Sequence, residues 1–225
     1  MKLLKKTKKY VQTHLISNIV DTDVSLDLAI NIINFSSISN INSVCIDYNV
    51  KPRTQIIDYC FEKDMDIGVR VKNIKELDML KKYNISFILI PDECADDVKL
   101  IRKACETTKT VIVDIKDLTD EDVNTIVYLM SGFEINGVLL YDVNDGEIKI
   151  DELDLVHITT LNNRHPKVSI GYKSIEQHIH LTAPTICLGA KYVCFDFHEG
   201  EDSNKLSEVL KAVKTIRDLE TTINK

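Results

Sequence analysis

Eight times along this chain, a short run of β-branched and apolar residues closes on a polar side chain and gives way to an amphipathic stretch. The runs cover residues 15–20, 43–47, 67–71, 87–90, 110–115, 137–141, 167–172 and 192–197, a spacing of about 20 to 30 residues. Runs so short and so continuously apolar suit parallel strands covered on both faces, because strands with one wet face alternate instead. The stretches between them carry helical periodicity and start signals. Ser25 precedes Leu26, Ala29, Ile30 and Ile33 on one face; Asn73 precedes Ile74, Leu77 and Leu80. Thr119 is a good N-cap for Val123, Ile126, Val127 and Met130, with Asp122 as an acid in the first turn. A last helix is expected at about residues 203–219, with Leu206, Val209, Leu210, Val213 and Ile216 inward. Eight alternations predict an α/β protein, a single-domain (β/α)8 TIM barrel near that fold's lower size limit. An open doubly wound sheet would place a glycine-rich turn after its first strand. Here that turn reads Val20-Asp21-Thr22-Asp23, and with seven glycines in the whole chain a phosphate-cradling loop has nowhere to sit.

At 44% hydrophobic and 28% charged residues, the 225-residue chain has the apolar mass for one sizeable core, and no Pro/Gly/Ser-rich linker divides it. Residues 1–12 are expected to form a basic tail carrying Lys5, Lys6, Lys8 and Lys9, and residues 13–225 the barrel. The net charge of −7, with the other basic residues scattered, argues against a nucleic-acid partner. The basic start lacks the apolar core of a secretion signal, and no run of about twenty apolar residues exists, so no membrane span is expected. The six cysteines show neither a CxxC pair nor regular spacing. Several lie inside apolar runs, as Cys45 and Cys194 do, and they read as reduced, buried residues of a cytoplasmic protein.

In a barrel of this kind the chemistry sits at the C-terminal ends of the strands. Those ends supply Asp21, Asp47, Arg70 with Lys72, Asp92 with Glu93, Asp114 with Lys116, Asp142, Lys173, and Asp196 with His198 and Glu199. The mouth is therefore expected to be acid-rich. Asp47, Asp114, Asp196 and His198 are the candidate acid/base residues, and Asp196 with His198 the candidate metal ligands. Set against this, strand ends are polar in every barrel, and acids there also answer the helix dipole. His178 and His180 fall in an expected helical segment, where a spacing of two puts them on different faces. No Gly-x-Ser-x-Gly occurs and no cysteine has a histidine and glycine context, so nucleophilic catalysis has no support. No organic cofactor site is expected.

Several of these segments together resemble the N-acetylneuraminate (sialic acid) synthase family over about residues 15–198. Ser25-Leu26-Asp27-Leu28-Ala29 with Ile32-Ile33 resembles that family's first helix, and Asn42 to Asp47 its second strand. Asn84 to Ile90 and Lys109 to Asp114 resemble the fourth and fifth strands, and Thr119 to Val123 the helix start that follows. Gly137-Val138-Leu139-Leu140, Gly171-Tyr172 and Leu188-Gly189-Ala190 complete the series in order. The resemblance implies a barrel that condenses phosphoenolpyruvate with an N-acetylated hexose, using a divalent metal on two histidines, lysines for phosphate and carboxylate, and a glutamate. On an ungapped reading those positions are changed. The first-strand glutamate falls on Ser17 and the histidine-bearing turn on Asp21-Thr22-Asp23. The two lysines fall on Cys45 and Leu89, and the fifth-strand serine on Asp114. Lys173 to Glu176 replaces Ser-Asp-His-Thr, and Cys194-Phe195-Asp196 replaces Glu-Lys-His. The loop after the second strand is short, and the C-terminal lid domain that usually follows the barrel is not expected.

Three functions follow as expectations. The first is a pseudoenzyme, a divergent synthase-like barrel tied to acidic nine-carbon sugar or surface polysaccharide biosynthesis. It would lack the standard condensation, with a sugar or sugar-phosphate ligand and a homo-oligomer or an active paralogue as partner. The second is an active aldolase- or lyase-type barrel using an acidic, metal-binding pocket. The third is a non-enzymatic interaction protein, marked by a mouth packed shut with Tyr48, Tyr141, Tyr172 or Phe197.

Overall fold

Eight strands pair in parallel, each with its sequence neighbour, and the eighth closes on the first. They are β1 (His14–Ile19), β2 (Ser43–Asp47), β3 (Asp66–Arg70), β4 (Phe87–Ile90), β5 (Thr110–Asp114), β6 (Asn136–Tyr141), β7 (Ser169–Lys173) and β8 (Tyr192–Phe197). The closing register sets Ile16 beside Cys194 and Asn18 beside Asp196. The helices are α1 (Leu26–Ile38), α2 (Arg53–Glu62), α3 (Ile74–Leu80), α4 (Val98–Thr107), α5 (Asp120–Met130), α6 (His157–Arg164) and α7 (Ser203–Ile223). This computed structural model describes residues 12–143, 149, 153–200 and 203–223, so Lys5, Lys6, Lys8 and Lys9 of the expected basic tail lie outside the described residues.

The strands begin and end within two residues of the apolar runs. The start signals also work as read. Ser25 accepts from the Leu28 N–H, Asn73 from Glu76, and Thr119 forms a capping box with Asp122. Each pairs a backbone donor that the first helical turn leaves without a partner.

Alternation along the strands divides the apolar residues between two cores. Ile16, Cys45, Phe87, Leu89, Ile112, Val138, Leu140 and Cys194 fill the barrel itself. The opposite faces, with Leu15, Val44, Ile88, Val113, Leu139, Tyr172, Phe195 and Phe197, pack against the helices. Gly68 makes the inner packing workable, since a Cβ there would lie 2.1 Å from the Phe87 ring. Below that layer His14 Nε2 meets Ser43 Oγ at 2.9 Å, and the Tyr192 hydroxyl pairs with Asn136.

Four local expectations need correction. The segment after β7 is not an α-helix but two 3-10 turns, Glu176–Leu181 and Ala183–Ile186. Pro184 has no N–H to give and its ring clashes with the preceding turn, so a helix started near Glu176 cannot run on. His178 breaks from helical geometry at φ −132, and its ring sits edge-on to His180 with centroids 6.1 Å apart, so the two are neighbours after all. On α7 Leu210 is exposed and Ala212 takes the inward place. Cys187 is exposed, whereas Cys45, Cys60, Cys105 and Cys194 are buried, and all six cysteines are free.

Candidate functional site

The same alternation decides which side chains reach the C-terminal mouth. Counting by twos from the barrel-filling residues brings Asn18, Asp47, Arg70, Asp114, Lys173 and Asp196 to the upper rim of the interior. A cavity of about 400 Å³ opens there, lined by all of these except Asp196, together with Asp21, Lys72, Asp92 and Glu93 from the loops. Its floor is Leu89, Leu140 and Cys194. Tyr172 and Phe197 belong to the outer core, and Tyr48 and Tyr141 pack against it, so none of the four closes the mouth.

Two charge clusters face one another across this cavity. On one side the buried Asp47 accepts from Arg70 Nε at 3.1 Å and from the Asn49 N–H at 2.8 Å, while Arg70 Nη2 donates to the Val20 carbonyl at 2.6 Å. Lys72 pairs with Glu93 at the outer edge. On the other side Lys173 stands among three carboxylates. Its Nζ lies 2.8 Å from Asp142 Oδ2, 3.4 Å from Asp196 Oδ2 and 3.8 Å from Asp114 Oδ2. Asp196 is held by Asn18 Nδ2 at 2.7 Å, with Cys194 Sγ at 4.0 Å from the same oxygen. Burial disfavours the Lys173 charge, but Asp196, Asp142 and Asp114 outweigh it and hold the ammonium firmly protonated. Asp114 is the reverse case. Burial, then the charge of Asp142, raise its carboxyl to about 7, and Lys173, drawn closer to the other two acids, offsets this only in part.

Of the four candidate acid/base residues, three sit in or against the mouth. Asp47 and Asp114 line it, and Asp196 stands behind Lys173. His198 does not line the mouth; its Nδ1 lies 3.3 Å from Asp21 Oδ1 and the ring is half exposed. Asp21 also accepts from the Glu199 N–H at 2.7 Å, and that bond, aided by His198, holds its carboxyl below the usual range. Asp196 and His198 thus have separate partners. The mouth is also less one-signed than expected, because Arg70, Lys72 and Lys173 all line it. Ser17 is not at the mouth either. It faces outward and accepts from the Ser36 hydroxyl of α1 at 2.7 Å, and Asn18 is the inward residue of β1. Lys173 is among the strand ends read from the sequence, whereas Asn18 is not, although counting by twos from the apolar Ile16 finds it.

The sequence profile of the NeuB family matches residues 34–220. The chain belongs to the NeuB family. The N-acetylneuraminate-9-phosphate synthase of Drosophila melanogaster is 25% identical over 150 residues, which are 66% of this chain and 40% of that protein. The chain therefore spans about two fifths of that relative's length. A spore coat polysaccharide biosynthesis protein of Bacillus subtilis superposes with TM-score 0.82 at 18% identity, covering 95% of this chain and 71% of that one. The sialic acid synthetase of Leptospira borgpetersenii, solved with citrate, superposes with TM-score 0.82 at 16% identity, over 94% and 85% of the two chains. At these identities the superpositions speak for the shared barrel.

For this NeuB-family chain, the divalent metal that the resemblance implies can be tested against the side chains present. The places of the two histidines hold Asp21-Thr22-Asp23 and Asp196. Asp196 is already engaged by Asn18 and by an ammonium 3.4 Å away. Among the described residues no three His, Cys, Asp or Glu side chains are grouped as metal ligands. A divalent cation at Asp196 would face the Lys173 charge, so the residues do not fit the metal in the manner implied.

Proposed function

We propose that this chain is a divergent synthase-like barrel that binds a sugar in acidic nine-carbon sugar or surface polysaccharide biosynthesis, and that it lacks the phosphoenolpyruvate condensation. Membership of the NeuB family and the three named relatives support the pathway. The observation that carries the loss of activity is the mouth itself. Cys45 and Leu89 stand where lysines are implied, and the one lysine deep in the mouth is neutralised by Asp142, Asp196 and Asp114. A trianionic substrate would meet cations already paired with carboxylates. An open cavity with polar walls supports ligand binding over a purely structural role.

The test is phosphate release from phosphoenolpyruvate with N-acetylated hexoses or their 6-phosphates, with Mn²⁺ present. No release above background is expected, together with a rise in Tm on adding at least one of the hexoses. Turnover would overturn the loss of activity, and no shift with any sugar would favour the interaction-protein reading.

One observation favours a second reading, an active aldolase or lyase. Asp114, raised to about 7, lies 3.8 Å from a fixed ammonium, an arrangement suited to moving a proton at neutral pH. Pyruvate release from 2-oxo sugar acids, lost on Asp114→Asn, would establish it.

A further inference from the structure

The failure of the mouth to match a histidine-held metal has a positive counterpart in the position of Lys173. It is the last residue of β7, flanked by β6 and β8. Asp142 follows directly on β6, Asp196 lies on β8, and Asp114 ends β5. Carboxylates from three separate elements thus converge on one point, and that point is a nitrogen 2.8, 3.4 and 3.8 Å from their oxygens. The three side chains are 3%, 17% and 5% exposed, so solvent does little to separate their charges. Three nearly dry carboxylates without a cation would repel one another strongly, and the Lys173 charge offsets that repulsion.

We propose that the Lys173 ammonium is a tethered cation seated in a latent divalent-cation site formed by Asp114, Asp142 and Asp196, so that the mouth holds its ligand without a metal. The ammonium brings a single charge and keeps oxygen distances of 2.8 to 3.8 Å. An oxygen-liganded divalent cation needs about 2.0–2.6 Å. The observed distances suit an ammonium rather than a divalent cation, and a metal ion entering while the lysine is present would be repelled by it. Of the three ammonium protons, one is directed at Asp142 at 2.8 Å and the other two are more loosely held. Since Lys173 lines the cavity, it can offer a proton to a ligand oxygen where a metal would have offered a coordination position. The functional consequence rests on the mouth being the ligand site, but the cation test does not, because it is run without sugar.

The experiment is an Mn²⁺ titration, followed by paramagnetic resonance and calorimetry, of the parent, Lys173→Met, Lys173→Arg and Lys173→Met with Asp196→Asn. Lys173→Met is expected to bind one Mn²⁺ roughly a hundredfold more tightly than the parent, within the range open to carboxylate sites. Lys173→Arg should behave as the parent, and Asp196→Asn in the Met background should return affinity to the parent level. Tight binding by the parent itself, or no gain in Lys173→Met, overturns the proposal. If circular dichroism shows Lys173→Met unfolded without metal, refolding on Mn²⁺ supports the site and failure to refold overturns it.

Discussion

Asp114 is the acid in the mouth whose charge depends most on its surroundings. Burial and the neighbouring Asp142 raise its carboxyl to about 7, so the folded protein keeps a proton there that the unfolded chain releases near about pH 4. The folded state then binds more protons than the unfolded one between these values, and stability falls as pH rises through that window. Asp114→Asn should flatten this fall and stabilise the protein at pH 8 by on the order of 1–3 kcal/mol. Urea unfolding at a series of pH values measures it; an unchanged slope in the variant would place the pH dependence elsewhere. The sequence shows Asp114, Asp47 and Asp196 as strand-end acids, and the structure keeps all three in or against the mouth. It does not show that Asp47 belongs to Arg70 or that Asp114 and Asp196 share Lys173. Those partners sit on different strands, and only the pairing of the strands brings them together. Ser17 illustrates the sharper failure, since a one-residue shift in a strand moves a side chain from mouth to helix layer.

Gly189 shows what the backbone asks of the connection into β8. Its φ of +103 is in the region that glycine alone enters cheaply, and an added Cβ would lie 2.7 Å from Asn162 Nδ2. That amide nitrogen donates to the Ile158 carbonyl and to the Gly189 carbonyl, at 2.9 and 3.2 Å, tying the turn to α6. Gly189→Ala should cost about 1–3 kcal/mol in denaturant unfolding, from backbone strain and the displaced Asn162. A cost near zero would mean that the turn relaxes freely. The strands and most helices were readable from the sequence because each rests on local signals, an apolar run or a cap residue. The segment after β7 was not. Its apolar spacing allows a helix, but the backbone leaves helical geometry at His178 and Pro184 bars a later restart from running through.

The closed ring depends on its lower end as much as on its mouth. Arg217 of α7 donates to the carbonyls of Thr13 and Asn40 and to Asn42 Oδ1, and pairs with Glu220, which is 2% exposed and accepts from the Thr13 N–H. The last helix thereby fastens the entrance of β1 and the loop before β2. Arg217→Met should cost about 3 kcal/mol, and Arg217→Met with Glu220→Met appreciably less, because breaking a buried pair is worse than replacing it. Equal losses in single and double variants would show that packing, not the ion pair, holds the helix. The class of fold is legible in the chain alone, since alternating apolar runs and capped amphipathic stretches are local properties that admit few arrangements. So are the acids at the strand ends. What those acids pair with depends on the packed barrel. Pairing of β5, β6, β7 and β8 in order brings Asp114, Asp142 and Asp196 around one lysine, closure of β8 on β1 adds Asn18 beside Asp196, and charges at such short range in a dry site govern one another far more than any sequence neighbour does.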